Sequence, residues 1–184
     1  MSQMTDRNLT LRVLSLALPV LTEQLLAVGV GLVDTWLTGN YLPGDKYLAA
    51  IGQMAYIMWL IPSLFAFVSI GTTALVARSV GAGEMDTAEK VANQSFMLGF
   101  GLAAVITLAL AFGGETLVRW LQLPQEAADL ALIYLKCLVP VVPAMMFERV
   151  AIAALQGAGD TVTGMWVRLV VNLANILLSL ALVL

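Results

Sequence analysis

The chain has 184 residues, of which 60% are hydrophobic and only 11% are charged, and histidine is absent. A soluble domain averages about 45–50% apolar and about 25% charged residues, so this composition excludes an ordinary soluble protein and indicates a chain embedded in a bilayer. The net charge of −3 argues against a nucleic-acid partner, and the single cysteine, Cys137, excludes an intrachain disulfide or a cysteine-based metal site.

Residues 1–10 are polar, and no small-residue cleavage site follows them. We therefore predict a cytoplasmic N-terminus that is retained, rather than a cleaved signal peptide. Five apolar stretches follow, each long enough to cross a hydrocarbon core of about 30 Å as a helix. The predicted fold class is an all-α integral membrane protein with about five transmembrane helices. They are predicted at residues 11–38, 47–80, 88–112, 127–156 and 162–184.

Prolines lie inside three of the predicted helices. Pro19 lies in the first, Pro62 in the second, and both Pro140 and Pro143 in the fourth. Proline removes a backbone hydrogen bond and clashes with the preceding turn, so these helices are expected to bend. Pro19 is a candidate hinge, and a purely architectural kink is the alternative.

The distribution of basic residues favours an N-terminus on the cytoplasmic side. In that orientation six basic residues fall on the inner side and three on the outer side, in agreement with the positive-inside bias. The inner set is Arg7, Arg12, Arg78, Lys90, Arg149 and Arg168, and the outer set is Lys46, Arg119 and Lys136.

Two acidic residues lie within the first apolar stretch, Glu23 near its middle and Asp34 toward its outer end. A carboxylate at membrane depth is costly unless it faces a cavity, a cation or a proton path, so both are functional candidates. Their spacing of eleven residues is close to three helical turns and places them on one face. The alternatives are a protonated Glu23 that hydrogen-bonds to another helix, and an interfacial Asp34 at the helix exit.

Polar residues in the last two apolar stretches complete the set of candidates. Glu148 precedes Arg149, but adjacent helical positions point about 100° apart, so each is expected to meet another helix or to reach the interface. Asn172, Asn175 and Ser179 share one face of the last stretch. There they either cross-link helices by hydrogen bonds or bind a ligand.

No catalytic constellation is visible, because no serine has a general-base partner nearby and no phosphate-binding loop occurs in a suitable context. We therefore predict that the protein is not an enzyme. Two loops, at residues 81–87 and 157–161, share a Gly-Ala-Gly start. Glycine is expected to end each preceding helix, and Asp or Thr to cap the next one. The last residues up to Leu184 are apolar, so we expect a longer protein.

Several short motifs resemble the N-terminal part of the multidrug and toxic compound extrusion (MATE) transporters. Each motif is degenerate, but their joint order along nearly the whole chain is fairly specific, and the resemblance is greatest to the branch of DNA-damage-inducible-type exporters. The motifs are Leu-Pro at 18–19, Leu-Val-Asp through Gly at 32–39, and residues 48–52, 75–82, 155–161 and 172–176.

The resemblance implies a transporter of twelve helices in two six-helix lobes, in which residues 11–184 form an incomplete N-terminal lobe. It implies that Asp34 is the cation- or proton-coupling residue, that Pro19 is the hinge, and that Asn175 and Ser179 are the polar pair of the fifth helix. Relatives often have an acidic residue or Asn where this chain has Ser179. Because a hydroxyl supplies no charge, this difference favours a proton held by Asp34 over sodium.

The expected function is secondary active antiport in the bacterial inner membrane. Amphipathic organic compounds, cationic drugs in particular, would leave in exchange for H⁺ or Na⁺, with no other cofactor. The expected partners are these small molecules, the lipid bilayer and the C-terminal lobe of the same protein. Two alternatives stay open: a flippase for lipid-linked precursors from the same superfamily, and a non-transporting truncated membrane protein.

Overall fold

The computed structural model describes the backbone of residues 2–42 and 45–183, and the side chains of residues 10–11, 13–42 and 45–182. Met1, Leu184 and the side chains of Arg7 and Arg12, on which parts of the predicted topology depend, lie outside the described residues. The described elements are α-helices and one short 3₁₀ helix. The α-helices are α1 (Ser2–Tyr41), α2 (Asp45–Gly81), α3 (Met85–Trp120), α4 (Gln125–Leu138), α5 (Val142–Gly157) and α6 (Thr161–Val183).

Within the described residues, five helical segments are long and apolar enough to cross a membrane, and this confirms the predicted all-α membrane fold class. The segments are Val13–Tyr41, Asp45–Gly81, Met85–Trp120, Gln125–Gly157 and Thr161–Leu182. Large apolar side chains on their outer faces are exposed, as is expected of surfaces that contact lipid.

Two helices extend beyond the predicted stretches. The first helix begins at Ser2, because neither glycine nor proline interrupts the polar residues that lead into it. The third continues past residue 112 to Trp120, where Glu115 and Arg119 form an ion pair one turn apart. Such pairs support the exposed end of a helix.

The prolines act differently in different helices. Pro140 and Pro143 divide the fourth segment, where a 3₁₀ turn at Val139–Val141 joins α4 to α5. Two prolines three residues apart remove two backbone donors, so a regular α-helix does not continue through them. Pro19 and Pro62, in contrast, lie inside helices that continue on both sides.

The hydrophobic core lies between α2, α3, α4 and α5. At its centre Phe65 of α2 and Met146 of α5 are completely buried. Helix α1 packs mainly against α6, so these two helices form a pair beside the core. They run parallel, since Glu23 lies beside Gly164 and Asp34 lies beside Ser179 further along both helices.

The two Gly-Ala-Gly loops form tight helix–helix turns, as expected. The second glycine of each has a positive φ, 77° at Gly83 and 89° at Gly159. The predicted Asp or Thr cap after the first loop is wrong, because Glu84 holds the N-cap position of α3 and its side chain makes no capping hydrogen bond. After the second turn Asp160 precedes α6, and its carboxylate accepts hydrogen bonds from the backbone N–H (3.0 Å) and the hydroxyl (2.6 Å) of Thr163. These bonds stabilise the ionised form and lower the pKa of Asp160 from its usual value.

Candidate functional site

Asp34 and Ser179 meet between α1 and α6. The Ser179 hydroxyl donates a hydrogen bond to Oδ1 of Asp34 at 3.2 Å, and both residues are half-buried. Thr38, one turn further along α1, donates its hydroxyl to the backbone oxygen of Asp34 and therefore leaves the carboxylate free for other partners. The site thus combines one carboxylate with one neutral hydroxyl, which can both donate and accept a hydrogen bond.

The two asparagines of the same α6 face have different surroundings. Asn175 is exposed, and no hydrogen bond joins it to Asp34 in the described part of the chain. Asn172 is half-buried, and its Nδ2 atom has no hydrogen-bond partner among the described residues. It lines an apolar cavity of about 330 Å³ between α1 and α6, beside Gly29 and Val30. Of the predicted α6 residues, Ser179 is the one that forms a hydrogen bond with Asp34 in the described part of the chain.

Glu23 lies much deeper than Asp34, with 3% of its surface exposed. Its Oε2 atom accepts a hydrogen bond of 3.3 Å from the Gln156 amide, and its Oε1 atom has no hydrogen-bond partner among the described residues. Oε1 faces Gly164 of α6, where a Cβ atom would lie only 2.8 Å from it. The absence of a side chain at this glycine therefore makes room for the carboxyl group.

A cavity of about 450 Å³, with both polar and apolar residues in its wall, adjoins Glu23 and is here called the Glu23 cavity. Four helices contribute to its wall. Its lining residues are Val20, Glu23, Gln24, Ser69, Ile70, Thr73, Ala74, Arg149, Ile152, Ala153, Gln156 and Arg168.

Charged residues of α5 and α6 face one another at this cavity. Glu148 forms an ion pair with Arg168, with 3.4 Å between Oε1 and Nε, rather than with its neighbour Arg149. Arg149 also lines the cavity, and it has no ion pair within the described part of the chain. Of the two alternatives predicted for Glu148, the structure shows the contact with another helix.

Sequence reasoning missed the role of three residues in this cavity. Arg168 enters the sequence prediction only as an indicator of orientation, and Gln156 only as part of a motif. Arg149 is expected there, besides indicating orientation, only to meet another helix or to reach the interface. An available signal was the position of Arg168, seven residues into a helix that is otherwise largely apolar. An arginine at such depth requires an acidic partner or water.

Pro19 and Cys137, which the sequence also singles out, lie apart from the hydrogen bond between Asp34 and Ser179. Pro19 is half-buried in α1, one turn before Glu23. Cys137 is exposed on α4. Among the described residues, no group of three or more Asp, Glu, Cys or His side chains is placed to hold a metal ion.

Comparison with known proteins gives consistent matches. The family model MatE matches residues 19–181. The probable multidrug resistance protein NorM of Thermotoga maritima is 28% identical over 170 residues, which cover 92% of this chain and 36% of that protein. The multidrug resistance protein MdtK of Pectobacterium atrosepticum is 30% identical over 164 residues, which cover 88% of this chain and 35% of that protein.

A solved structure shares the fold. It is described as the outward-facing conformation of a multidrug resistance MATE family transporter of the MOP superfamily, and it matches with a TM-score of 0.85 and 26% sequence identity. The match covers 91% of this chain and 37% of that structure. The chain therefore spans about a third of the length of the relatives it matches.

Proposed function

Because this chain belongs to the MatE family of multi-pass membrane transporters, we propose that it forms most of one lobe of a secondary active multidrug antiporter. The exported compounds would be amphipathic organic molecules, cationic ones in particular, and the driving ion H⁺ or Na⁺. The match along residues 19–181 and the multidrug resistance proteins among the relatives support this assignment. The complete transporter would contain a second lobe, with this lobe's N-terminus in the cytoplasm of a bacterial cell.

The single observation that carries the proposal is the contact between Asp34 of α1 and Ser179 of α6. An ionisable group that joins two helices at membrane depth can change their interaction when it binds or releases a cation. The Ser179 hydroxyl donates to the ionised Asp34 and can accept from the protonated acid, so the direction of this hydrogen bond would reverse on protonation.

A proton suits this site better than sodium. A metal cation needs several oxygen ligands, and among the described residues the Asp34 carboxylate accepts a hydrogen bond from a single neutral hydroxyl. Asn175 would have to turn inward to add a further oxygen, since its side chain is exposed. We therefore assign proton binding to Asp34, with Ser179 as its partner and Asn175 as a secondary one.

Transport would proceed by rocking of two lobes around a cavity between them. Pro19 would act as the hinge in α1, because its missing backbone hydrogen bond lowers the cost of bending the helix there. Protonation of Asp34 would change the contact of α1 with α6 and so favour one of the two bends.

The test uses the full-length gene product that contains this chain, expressed in everted membrane vesicles. Ethidium efflux is measured under an imposed proton gradient and, separately, under an imposed sodium gradient. We expect Asp34→Asn to abolish efflux driven by the coupling ion. The matched control is Asp86→Asn, which makes the same change at an exposed position at the start of α3. Wild-type efflux in Asp34→Asn under both gradients would refute the coupling role.

A flippase for lipid-linked precursors is the second candidate, and the arginines of the Glu23 cavity favour it, since anionic headgroups bind to guanidinium groups. However, Arg168 is already paired with Glu148, and Glu23 lies in the same cavity as Arg149. The antiporter assignment therefore fits better. Translocation of a fluorescent lipid by the purified protein in vesicles, without ethidium efflux, would reverse this order.

A further inference from the structure

The Glu23 cavity contains a carboxyl group to which the proposed function assigns no role. Only 3% of the surface of Glu23 is exposed, and one of its two carboxyl oxygens has no hydrogen-bond partner among the described residues. The other accepts one hydrogen bond from a neutral amide. A carboxylate with so few donors is poorly compensated, whereas a protonated carboxyl group needs fewer partners.

The charged groups that face Glu23 come from two helices. Arg168 of α6 and Arg149 and Glu148 of α5 all act on it electrostatically. Helix α2 contributes the uncharged residues Ser69, Ile70, Thr73 and Ala74 to the wall. Arg168, which also pairs with Glu148, and Arg149 can both compensate an ionised Glu23, and Arg168 has the larger effect of the two.

The cavity has room for water beside the carboxyl group. Its volume is about 450 Å³, and polar atoms from four helices line it. A water molecule occupies about 30 Å³ and needs two to four polar partners, which this wall offers. Water can therefore carry a proton to Glu23 and remove it again.

The residues that line the cavity favour the binding of a proton over that of a metal ion. A metal ion needs several oxygen ligands, whereas a proton needs one, and Glu23 is the one carboxylate among the residues that line this cavity. The described residues also offer no group of three or more Asp, Glu, Cys or His side chains that could hold one.

We propose that the Glu23 cavity is a second proton-binding site in this protein, in which Glu23 exchanges a proton with cavity water and the guanidinium groups of Arg168 and Arg149 compensate the ionised form. In uptake the carboxylate forms an O–H bond with a proton from hydronium, which leaves as water. In release this O–H bond breaks, and the proton passes to a water molecule, which becomes hydronium. Glu23 and Asp34 are separated by about 16 Å along α1, from eleven residues at about 1.5 Å each. The apolar cavity beside Asn172 lies between them.

Infrared spectroscopy on the full-length gene product in lipid nanodiscs tests the proposal. The protonated carboxyl C=O stretch is followed while the pH of the medium is changed, because this band disappears when a carboxyl group ionises. We expect a component that titrates in wild type, moves on exchange into D₂O and is absent from Glu23→Gln. It should be retained in Glu89→Gln, the same change at an exposed position of α3. It should also be retained in Asp34→Asn.

A titrating spectrum of Glu23→Gln that equals that of wild type would overturn the proposal. Should Glu23→Gln not fold, Gln156→Leu serves as a second variant, since it keeps Glu23 and removes the amide that donates to Oε2. There the same component should shift in frequency, and an unshifted band would also overturn the proposal. Arg149→Gln should move the titration midpoint of the component to higher pH, because a cation that compensates the ionised carboxylate is gone. An unchanged midpoint would show that Arg149 is not part of the site.

The measurement distinguishes this proposal from the proposed function, because it needs neither a substrate nor a gradient. If the infrared component is absent from Glu23→Gln while Asp34→Asn shows wild-type efflux, only the coupling assignment of Asp34 is overturned. A Glu23→Gln spectrum like that of wild type, with abolished efflux in Asp34→Asn, would overturn the second site alone.

Discussion

Replacing Gly157 with alanine should separate α2 from α5, which form two walls of the Glu23 cavity. A Cβ atom on Gly157 would lie 2.8 Å from the backbone oxygen of Thr73 and 2.9 Å from Cβ of Val76. Neither atom can move away by a side-chain rotation, so the two helices themselves must shift. The shift would also lengthen the 3.0 Å hydrogen bond from the Thr73 hydroxyl to the backbone oxygen of Ala153.

The expected cost follows from these contacts. Overpacking of a well-packed interface typically costs about 1–3 kcal/mol. For a domain of this size each kcal/mol lowers the melting temperature by about 2–4 °C, which gives a loss of about 2–12 °C. Gly101→Ala is the matched control, because Gly101 is also helical and nothing lies within 4 Å of a Cβ atom placed there. It should leave stability unchanged or raise it by up to about 1 kcal/mol, from the better helix propensity of alanine.

The assay is the loss of monodisperse protein on size-exclusion chromatography after heating in detergent. Wild type, Gly157→Ala and Gly101→Ala are compared in the same full-length background. Equal melting temperatures for Gly157→Ala and wild type would show that α2 and α5 are not packed as closely as the structure has them. A parallel loss in Gly101→Ala would mean that any added methyl group destabilises the protein, and the steric explanation would fail.

Three further predictions concern the polar contacts. Ser179→Ala should slow ethidium efflux without abolishing it, since Asp34 keeps its carboxylate; complete loss would show that Ser179 does more than supply a partner. Glu148→Gln should lower the melting temperature, because it removes one partner of the ion pair with Arg168. The loss in free energy of unfolding should lie between the value for an exposed pair, about 0–1 kcal/mol, and that for a fully buried one, about 3–5 kcal/mol. A double-mutant cycle with Arg168→Gln measures the coupling, and additive effects would show that the half-buried pair contributes nothing. Folding lowers the pKa of Asp160, so the ionised carboxylate stabilises the folded protein. This contribution is fully present above the pKa of the unfolded chain, about 3.9, and is lost as the pH falls through the lower pKa of the folded protein. Asp160→Asn should therefore lower the melting temperature at neutral pH, and the difference in melting temperature between the variant and wild type should become smaller below about pH 4. An equal difference in melting temperature at both pH values would contradict this reasoning.

The membrane class and the number of spans follow from the sequence because they depend on local properties. Apolar length and charge content are summed along each stretch, and the bilayer sets the required length. Paired prolines likewise act on the turn that contains them, so a bend in the fourth segment follows from the sequence. The prediction of one bent helix over residues 127–156 is nevertheless wrong in detail, because a 3₁₀ turn divides it into α4 and α5. The shared helix face of Glu23 and Asp34 also needs only the helical period.

The tertiary structure alone decided which groups meet. Ser179 contacts Asp34 across 145 residues, and Gln156 contacts Glu23 across 133. No local pattern specifies such pairs, because they depend on which helices pack together and in which rotation about their axes. For the same reason an arginine that marks orientation in the sequence, Arg168, forms an ion pair with Glu148 beside a buried cavity. Hydropathy places a residue in the membrane, whereas packing between distant segments determines its partner.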